Sequence, residues 1–229
     1  MSLDRFASAA TLYRRTSEGS LAFLGTCFAF RKRHVFLTAA HCTKGLDAAD
    51  LVVVSAFAGR LSEVQRVTRH PHADLAALEV DAAGMSPIRP YTTLGVSAQY
   101  GAEVCAIGFP EDSTAAGTTE PTGRLFRAHI QRFLVKESHL GYRYHAAELS
   151  IGAPAGLSGG PVFLADMSGN LVGLVTENFE STTYLRTIQE LHEPGNVFKE
   201  HIHTVINYAV CVWLPPLERW LGEIVGSEF

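Results

Sequence analysis

Three short segments carry residue types that together could perform nucleophilic hydrolysis. Thr38–Cys42 places His41 directly after an apolar run. Asp74 opens a second apolar run, and Gly156–Phe163 surrounds Ser158 with glycines. A serine hydroxyl is a weak nucleophile until a neighbouring base takes its proton, and the ordinary pKa of histidine, about 6.5, suits that task near neutral pH. A buried carboxylate fixes the tautomer of such a histidine, and glycines let backbone N–H groups turn towards a developing oxyanion. The three segments are therefore candidates for a catalytic centre.

Length and composition describe a folded globular protein and exclude several functions. The 229 residues suit one large all-β domain or two small subdomains around a cleft, and 47% hydrophobic with 18% charged residues excludes a disordered chain. The net charge of −4 provides no broad basic surface, so nucleic-acid binding is not expected. No apolar run approaches the roughly 18 residues of a membrane helix, so no membrane interaction is predicted.

Cysteine and histidine spacing predicts neither a metal site nor another cofactor. Four cysteines are too few for a disulfide scaffold, and no pair has the CxxC spacing of a structural zinc site. The pairs His70/His72 and His201/His203 each provide two imidazoles, which is too few ligands for a metal ion. No secretory signal is recognisable at the N-terminus, so we expect a cytoplasmic protein, or a secreted or periplasmic one if a signal lies outside this sequence.

The elements that must position these residues are predicted to be short β-strands. Apolar runs rich in Val, Ile, Phe and Thr recur between turn-forming clusters, as is typical of a sandwich or barrel. The predicted strands are 21–30, 35–40, 51–57, 75–80, 104–109, 125–133, 142–149, 161–164, 171–176 and 207–213. Residues 163–175 are predicted to form a hairpin around the turn 167–170. Helical character is limited to a short segment after Ala39 and to 217–225, while 110–123 and 179–196 are predicted to be irregular loops.

The three segments resemble the catalytic signatures of chymotrypsin-like (trypsin-fold) serine proteases. TAAHC, DLAALEV and GLSGGPVF occur in that family's order of histidine, aspartate and serine. Gly169–Leu174 matches the hairpin strand after the nucleophile. Asn207–Val210 followed by a helix is similar to bacterial HtrA-type and glutamyl-endopeptidase-like members. The resemblance covers roughly residues 20–226.

The resemblance implies an all-β fold of two six-stranded antiparallel β-barrels with the catalytic cleft between them and a C-terminal α-helix. Residues 8–95 would form the N-terminal barrel, which carries the histidine and the aspartate. Residues 96–226 would form the C-terminal barrel, which carries the serine and ends with the helix 217–225. Residues 226–229 look like a cloning remnant, as does the Met-Ser-Leu start.

Residue roles follow from the same resemblance. His41 would be the general base and acid, Asp74 its orienting partner, and Ser158 the nucleophile that forms an acyl-enzyme. The backbone N–H groups of Gly156 and Ser158 would form the oxyanion hole. The implied substrate-binding residues are Gly152, Ala153, Ala155, Val175, Thr176, Glu177 and Asn178. Thr176–Asn178 would pair with the extended substrate as an added strand.

Two departures from the family pattern affect specificity and activation. Gly152 occupies the position at the bottom of the trypsin pocket and carries no charge, so a small or apolar residue before the scissile bond is expected. Leu157 replaces the aspartate that precedes the serine in zymogen-derived members, so activation by a new N-terminus is not expected.

Cys27 and Cys42 fall where many members of the family form a disulfide beside the histidine. We expect their Cα atoms to lie within about 7 Å, as a bridge requires. In a cytoplasm they would remain thiols. Cys105 and Cys211 lie in apolar strands and are predicted to be core residues.

Several alternatives remain open. Gly156-x-Ser158-x-Gly160 also fits the nucleophile elbow of α/β-hydrolases, but that fold needs a helix after the serine, where Pro161 and an apolar hairpin follow. Within the protease family, the chain could be an active endopeptidase acting on protein or peptide substrates. It could also be a protease domain of a larger system that an activating protein partner switches on, or a pseudoprotease that serves as a binding module.

Overall fold

The computed structural model describes residues 7–55, 60–81, 91–92, 98–111, 122–166, 170–192 and 196–226. These parts of the chain contain twelve β-strands, short 3-10 turns and one α-helix. The strands are β1 Ala9–Arg15, β2 Leu21–Phe30, β3 Lys32–Thr38, β4 Leu51–Ser55, β5 Leu61–Arg69, β6 Ala76–Val80, β7 Glu103–Gly108, β8 Arg124–Glu137, β9 Arg143–Leu149, β10 Pro161–Leu164, β11 Leu171–His192 and β12 Asn196–Trp213. The helix is α1 Glu218–Val225.

The strands form two closed antiparallel barrels of six strands each. The first has the order β1-β2-β3-β6-β5-β4 and the second the order β10-β11-β12-β9-β8-β7. Closure leaves no free strand edge within a barrel, and every strand can bury one face inside it. The predicted fold class is therefore confirmed. The predicted domain limits, 8–95 and 96–226, remain predictions.

One apolar cluster extends from the interior of the first barrel into the second. It includes Phe28 and Leu37 from the first barrel and Ile107, Phe163 and Val210 from the second. Burying such side chains contributes about 2 kcal/mol each. The two barrels therefore share packing surface in addition to the hydrogen bonds that cross between them.

The C-terminal helix returns to the first barrel. Leu221 is buried in the shared cluster, and Glu218 forms an ion pair with Arg31 at 2.7 Å. The predicted helix 217–225 is confirmed with a start one residue later, because Leu217 belongs to a 3-10 turn that begins with two prolines. No helix among the described residues has the length and apolar character that crossing a membrane requires.

Eight of the ten predicted strands are confirmed with ends shifted by at most a few residues, the predicted strands 171–176 and 207–213 are much longer in the structure, and two further strands were not singled out. β1 contains a run of polar and small residues, and β5 alternates buried with exposed positions over only its first half. Neither shows the continuous apolar run on which the prediction relied. The hairpin 163–175 is confirmed by the pairing of β10 with β11. Its turn and most of the loop 110–123 lie outside the described residues.

The prediction of an irregular stretch at 179–196 was wrong. β11 continues to His192 and β12 begins at Asn196, and the two strands are paired over this whole length. A strand buried on one face shows period-two alternation, which is what the sequence analysis searched for. Here several side chains along the stretch are exposed, including Glu180 and Thr182, so the alternation is missing.

Candidate active site

His41 and Asp74 are brought together by the pairing of β3 with β6. Because Thr38 lies opposite Ala76 in this antiparallel pair, the 3-10 turn after β3 and the loop before β6 meet at one end of the barrel. The Nδ1 atom of His41 lies 2.7 Å from Oδ2 of Asp74. The backbone N–H of His41 donates to the other carboxylate oxygen at 2.8 Å. Asp74 is 4% exposed, so both of its oxygens are held within the protein.

The environment of His41 favours its protonated form. Burial lowers the pKa of the imidazole, but the hydrogen bonds to Asp74 and to the Cys42 sulfur, together with the negative charge of Asp74, outweigh burial and raise the pKa above its ordinary value of 6.5. Asp74 thus stabilises the imidazolium, which is the form that a general base reaches after it takes a proton.

His70 organises the loop that carries Asp74. Its Nδ1 accepts hydrogen bonds from the backbone N–H groups of His72, at 3.1 Å, and Ala73, at 2.8 Å. Its ring packs edge-on against Trp220 of α1, with centroids 5.1 Å apart. Burial and the neighbouring His72 lower the pKa of His70, which keeps the ring neutral and able to accept these bonds. The residue is therefore structural, and its Nδ1 lone pair is already used.

Ser158 lies in a tight loop between β9 and β10 that contacts both barrels. Gly159 has a φ of +85°, and a Cβ added there would lie 2.0 Å from the Thr26 carbonyl oxygen, so only glycine fits. The Ser158 carbonyl accepts a hydrogen bond from the N–H of Thr26 at 2.8 Å. On the side of the second barrel, the N–H of Gly159 donates to the carbonyl oxygen of Val175 in β11 at 2.7 Å. The loop is thus fixed between β2 and β11.

The hydroxyl of Ser158 points to β11. Its Oγ donates to the carbonyl oxygen of Thr176 at 3.0 Å. Within the described parts of the chain, no hydrogen bond joins this Oγ to His41. The Ser158 carbonyl oxygen and the Cys42 sulfur both lie within 3.2 Å of the position that a Cβ on Gly25 would occupy. The serine loop therefore borders the turn that carries His41.

Two backbone N–H groups beside the serine are available as donors. The Ala155 carbonyl accepts from Glu111 at 2.9 Å, and the Leu157 carbonyl accepts from Gly160 at 2.9 Å. In a trans peptide the C=O and the following N–H point in opposite directions, so the N–H groups of Gly156 and Ser158 point away from those partners. Both N–H groups are therefore without an acceptor among the described residues.

The predicted substrate-binding residues lie in two facing segments. The side chain of Asn178 makes two hydrogen bonds to the backbone of Ala153. Its Oδ1 accepts from the Ala153 N–H at 2.5 Å, and its Nδ2 donates to the Ala153 carbonyl oxygen at 2.6 Å. Gly152 lies next to Asn207, whose Cβ would be 3.3 Å from a Cβ added to the glycine. These contacts join the segment before the serine loop to the paired strands β11 and β12.

The other predicted binding residues differ in what they can contact. Val175 is buried, and its backbone N–H and carbonyl bond to Gly160 and Gly159 of the serine loop. It therefore supports the loop and has no side-chain surface for a substrate. Glu177 forms an ion pair with Lys136 at 3.2 Å. Ala155 is exposed in the serine loop. Thr176 offers its carbonyl to the cleft, where it now holds the Ser158 hydroxyl.

Cys27 and Cys42 are buried thiols in the structure, as are Cys105 and Cys211. Burial and the influence of Cys42 raise the pKa of Cys27 well above its ordinary value, so its thiol is protonated and inert near neutral pH. The predicted burial of Cys105 and Cys211 is confirmed. Disulfide formation between Cys27 and Cys42 stays a prediction for an oxidising environment.

Comparison with known proteins identifies the family. The family model described as "Trypsin-like peptidase domain" matches residues 25–174, well over half of the chain, including His41, Asp74 and Ser158. This chain belongs to the trypsin-like peptidase family. Its activity class is that of a serine endopeptidase.

Solved structures resemble the peptidase in fold at low sequence identity. An inactive form of Rv3671c from M. tuberculosis H37Rv has a TM-score of 0.62 at 16% identity, with 98% of this chain and 89% of that chain covered. The HtrA-type protease AlgW with a tripeptide has a TM-score of 0.64 at 20% identity, with 94% of this chain and 60% of that chain covered. AlgW with a decapeptide has a TM-score of 0.63 at 18% identity, with 95% of this chain and 64% of that chain covered. The peptidase therefore spans less than two thirds of the AlgW chains. No curated protein matches the sequence.

Two supporting residues of the peptidase's site were missed by sequence reasoning. The hydroxyl of Thr26 donates to the Gly156 carbonyl at 2.8 Å and accepts from the N–H of Phe109 at 3.1 Å. The hydroxyl of Tyr144 lies 3.1 Å from that of Thr176 and is buried. A polar residue inside an apolar strand, such as Thr26 in β2, is the signal that could have indicated the first.

Proposed function

We propose that the peptidase cleaves peptide bonds through a triad of His41, Asp74 and Ser158. The Ser158 Oγ attacks the carbonyl carbon of the substrate while His41 accepts the hydroxyl proton. The C–N bond then breaks, His41 gives the proton to the leaving amine, and a water molecule hydrolyses the acyl-enzyme by the reverse sequence. The observation that carries the proposal is the buried Asp74, both of whose oxygens bind His41 beside the serine loop.

The oxyanion would bind the two free N–H groups of the serine loop. Gly156 and Ser158 both present donors without an internal partner among the described residues. Because these donors are fixed by the bonds of the neighbouring carbonyls, no reorganisation is needed when charge develops. One such donor is worth roughly 3 kcal/mol of transition-state stabilisation.

The substrate is proposed to be a protein or peptide in extended conformation. Its backbone would pair with Thr176–Asn178, as an added strand does. The residue before the scissile bond would be small or apolar, because Gly152 carries no charge and Asn178 is already bonded to Ala153.

A partner-activated state is the second candidate, and one observation favours it. The Ser158 hydroxyl bonds to the Thr176 carbonyl, which is the group that a bound peptide would use. Turning the side chain about one torsion towards His41 would complete the triad. A substrate or a protein partner that occupies the Thr176 carbonyl would release the hydroxyl.

Labelling with a fluorophosphonate tests the proposed chemistry. The reagent should modify Ser158, as mapped by mass spectrometry, and His41→Ala should reduce the labelling rate by at least about a thousand-fold. His34→Ala changes an exposed histidine on β3 and serves as the matched control.

The outcomes separate the two candidates. Labelling of the isolated chain supports a self-sufficient peptidase. Labelling that appears only after a peptide is added supports release of the hydroxyl by an occupant. A folded protein that is never labelled under either condition contradicts the triad proposal and favours a binding module.

A further inference from the structure

β11 and β12 continue past the second barrel as a two-stranded ribbon. The ribbon begins at the pair Phe179–Tyr208 and ends at the pair His192–Asn196. Along this length no other strand of the described residues pairs with either of them. At about 3.3 Å per residue, the ribbon is roughly 45 Å long. Such a length of paired strand outside a barrel leaves two long edges of backbone.

The position of Asn178 shows which way the backbone groups of β11 point. Asn178 lies opposite Ala209, whose N–H donates to the Ile151 carbonyl on the far side of β12. In an antiparallel pair, opposite residues either exchange both hydrogen bonds or direct both sets away from each other. Asn178 and Ala209 are of the second kind. The N–H and C=O of Asn178 therefore point away from β12.

The same orientation repeats at every second residue of β11. The register is regular from Glu177 to Tyr184, so the backbone groups of Asn178, Glu180, Thr182 and Tyr184 all lie on the outer edge. Within the described chain, no other backbone segment bonds to these groups. This outer edge is an unused template for a further strand.

The outer edge is continuous with the proposed catalytic site. It begins next to Thr176, whose carbonyl binds the Ser158 hydroxyl at 3.0 Å. A peptide whose scissile bond lies at the serine has its preceding residues farther along β11 as residue numbers rise. The peptide therefore runs antiparallel to β11, which is the direction that an added strand would take against this edge.

We infer that the outer edge of β11 from Asn178 to Tyr184 binds the part of an unfolded polypeptide that precedes the scissile bond. The third, fifth and seventh residues before that bond pair with Asn178, Glu180 and Thr182 through main-chain hydrogen bonds. This inference rests on the proposed function, because the register is counted from Ser158. It makes the substrate an unfolded segment of at least seven extended residues.

The root of the ribbon is braced on the barrel, which keeps the edge aligned with the site. Arg132 of β8 bonds Glu148 through two nitrogens, at 2.9 and 2.7 Å, and Glu148 is buried. The same guanidinium lies over the ring of Phe179, 5.4 Å from its centroid. The first residue of the ribbon is thus held by a side chain that is itself fixed by an ion pair.

Substrate length gives the first test. Peptides of alternating alanine and threonine, ending in alanine linked to aminocoumarin, are made with three, five and seven residues before the scissile bond. Each added pair of residues gains two main-chain hydrogen bonds, so kcat/KM should rise about ten-fold from three to five residues and again from five to seven. A kcat/KM that does not change beyond three residues overturns the inference.

Proline substitution gives the second test, with a matched control on the same ribbon. Thr182→Pro removes an outward N–H from β11, whereas Val205→Pro removes the outward N–H of the residue directly opposite, on β12. Thr182→Pro should abolish the ten-fold gain between five and seven residues and leave the three-residue rate unchanged. Val205→Pro should leave both unchanged. Equal effects of the two variants overturn the inference.

Two further measurements keep the outcomes distinct. N-methylation of the seventh residue before the scissile bond, tested on the unaltered protein, should remove the same gain even if the proline variants do not fold. Fluorescein-labelled peptides of the same lengths, bound to Ser158→Ala and followed by anisotropy, should show the length dependence without turnover.

Failure of the proposed function is recognised separately. If Ser158 is not labelled and no peptide is hydrolysed, the catalytic proposal is refuted. If peptide binding still tightens with peptide length in that case, the assignment of the outer edge remains supported. A dimer in light scattering that Thr182→Pro converts to a monomer, with no length dependence, assigns the edge to a second copy of the chain and overturns the inference.

Discussion

At the scale of single residues, the site depends on how Asp74 controls His41. One carboxylate oxygen holds the backbone N–H of His41 and the other holds Nδ1. The ring therefore cannot rotate without losing its partner, and the tautomer with a proton on Nδ1 leaves Nε2 as the basic atom. The same contact raises the pKa of His41, so the groups that position the imidazole also keep it protonated up to a higher pH than an ordinary histidine.

The pH dependence of cleavage should reflect this raised pKa. Protonated His41 cannot accept the serine proton, so kcat/KM should fall on the acid side with an apparent pKa above 6.5. The ordinary histidine value, which the residue type alone predicts, would place the fall at about 6.5. A pH–rate profile with a three-residue aminocoumarin peptide measures the position of this limb.

Asp74→Asn provides the control for that profile. Removing the carboxylate charge should shift the acid limb to lower pH and reduce kcat by about 10⁴-fold, because the ring loses its orienting partner. His34→Ala should change neither. An acid limb at or below pH 6.5 in the unaltered protein would contradict the assignment.

At the scale of elements, the serine loop packs closely against β2 because glycine occupies the point of contact. Gly159 and Gly141 have nearly the same positive φ, +85° and +87°. A Cβ on Gly159 would meet the Thr26 carbonyl oxygen at 2.0 Å, whereas a Cβ on Gly141 would meet nothing within 4 Å. The two positions share a backbone conformation that strains any residue with a side chain, and they differ in packing.

Alanine substitution separates these two effects. Gly141→Ala should lower the free energy of unfolding by about 1 kcal/mol, which is the cost of the left-handed conformation. Gly159→Ala should lower it by about 3 kcal/mol or more and slow fluorophosphonate labelling, because the loop must also move away from β2. Urea unfolding measures both variants. Equal losses would show that the contact with Thr26 does not matter.

The elements also show which parts of the fold local sequence could predict. Strands such as β2 and β7 bury several consecutive residues, and their apolar runs predicted them well. The continuation of β11 past Asn178 has several exposed side chains and is defined by pairing with β12, a long-range contact that periodicity does not contain. The sequence could not predict the orientation of the Ser158 hydroxyl either, because it depends on the Thr176 carbonyl of β11.

At the scale of the whole molecule, the site lies where the two barrels are joined. Thr26 of the first barrel bonds to Ser158 through its N–H, and to Gly156 and Phe109 through its hydroxyl. The motifs predicted the two halves of the site and their order. They did not predict this connection, because Thr26 lies far along the chain from all three partners.

Thr26→Val tests whether the connection supports the site. The change keeps the shape of the side chain and leaves the Gly156 carbonyl and the Phe109 N–H without a partner, which should cost about 2 kcal/mol of stability. Fluorophosphonate labelling should slow about ten-fold, because the N–H of Gly156 is a proposed oxyanion donor. Thr11→Val, which removes one bond to Val54 within the first barrel, is the control. It should lower stability by about 1 kcal/mol and leave the labelling rate unchanged. If Thr26→Val and Thr11→Val were labelled at the same rate, the proposed support of the site by Thr26 would be contradicted.

The bond between Thr26 and the Ser158 carbonyl forms only when both barrels are present, which has a consequence for a chain that is still being made. The base and its aspartate emerge from the ribosome within the first barrel, and the serine follows more than 80 residues after Asp74. Until the second barrel docks, the proposed nucleophile and the proposed base are not yet side by side. On the proposed mechanism, hydrolytic activity would therefore arise only after both barrels have folded and docked.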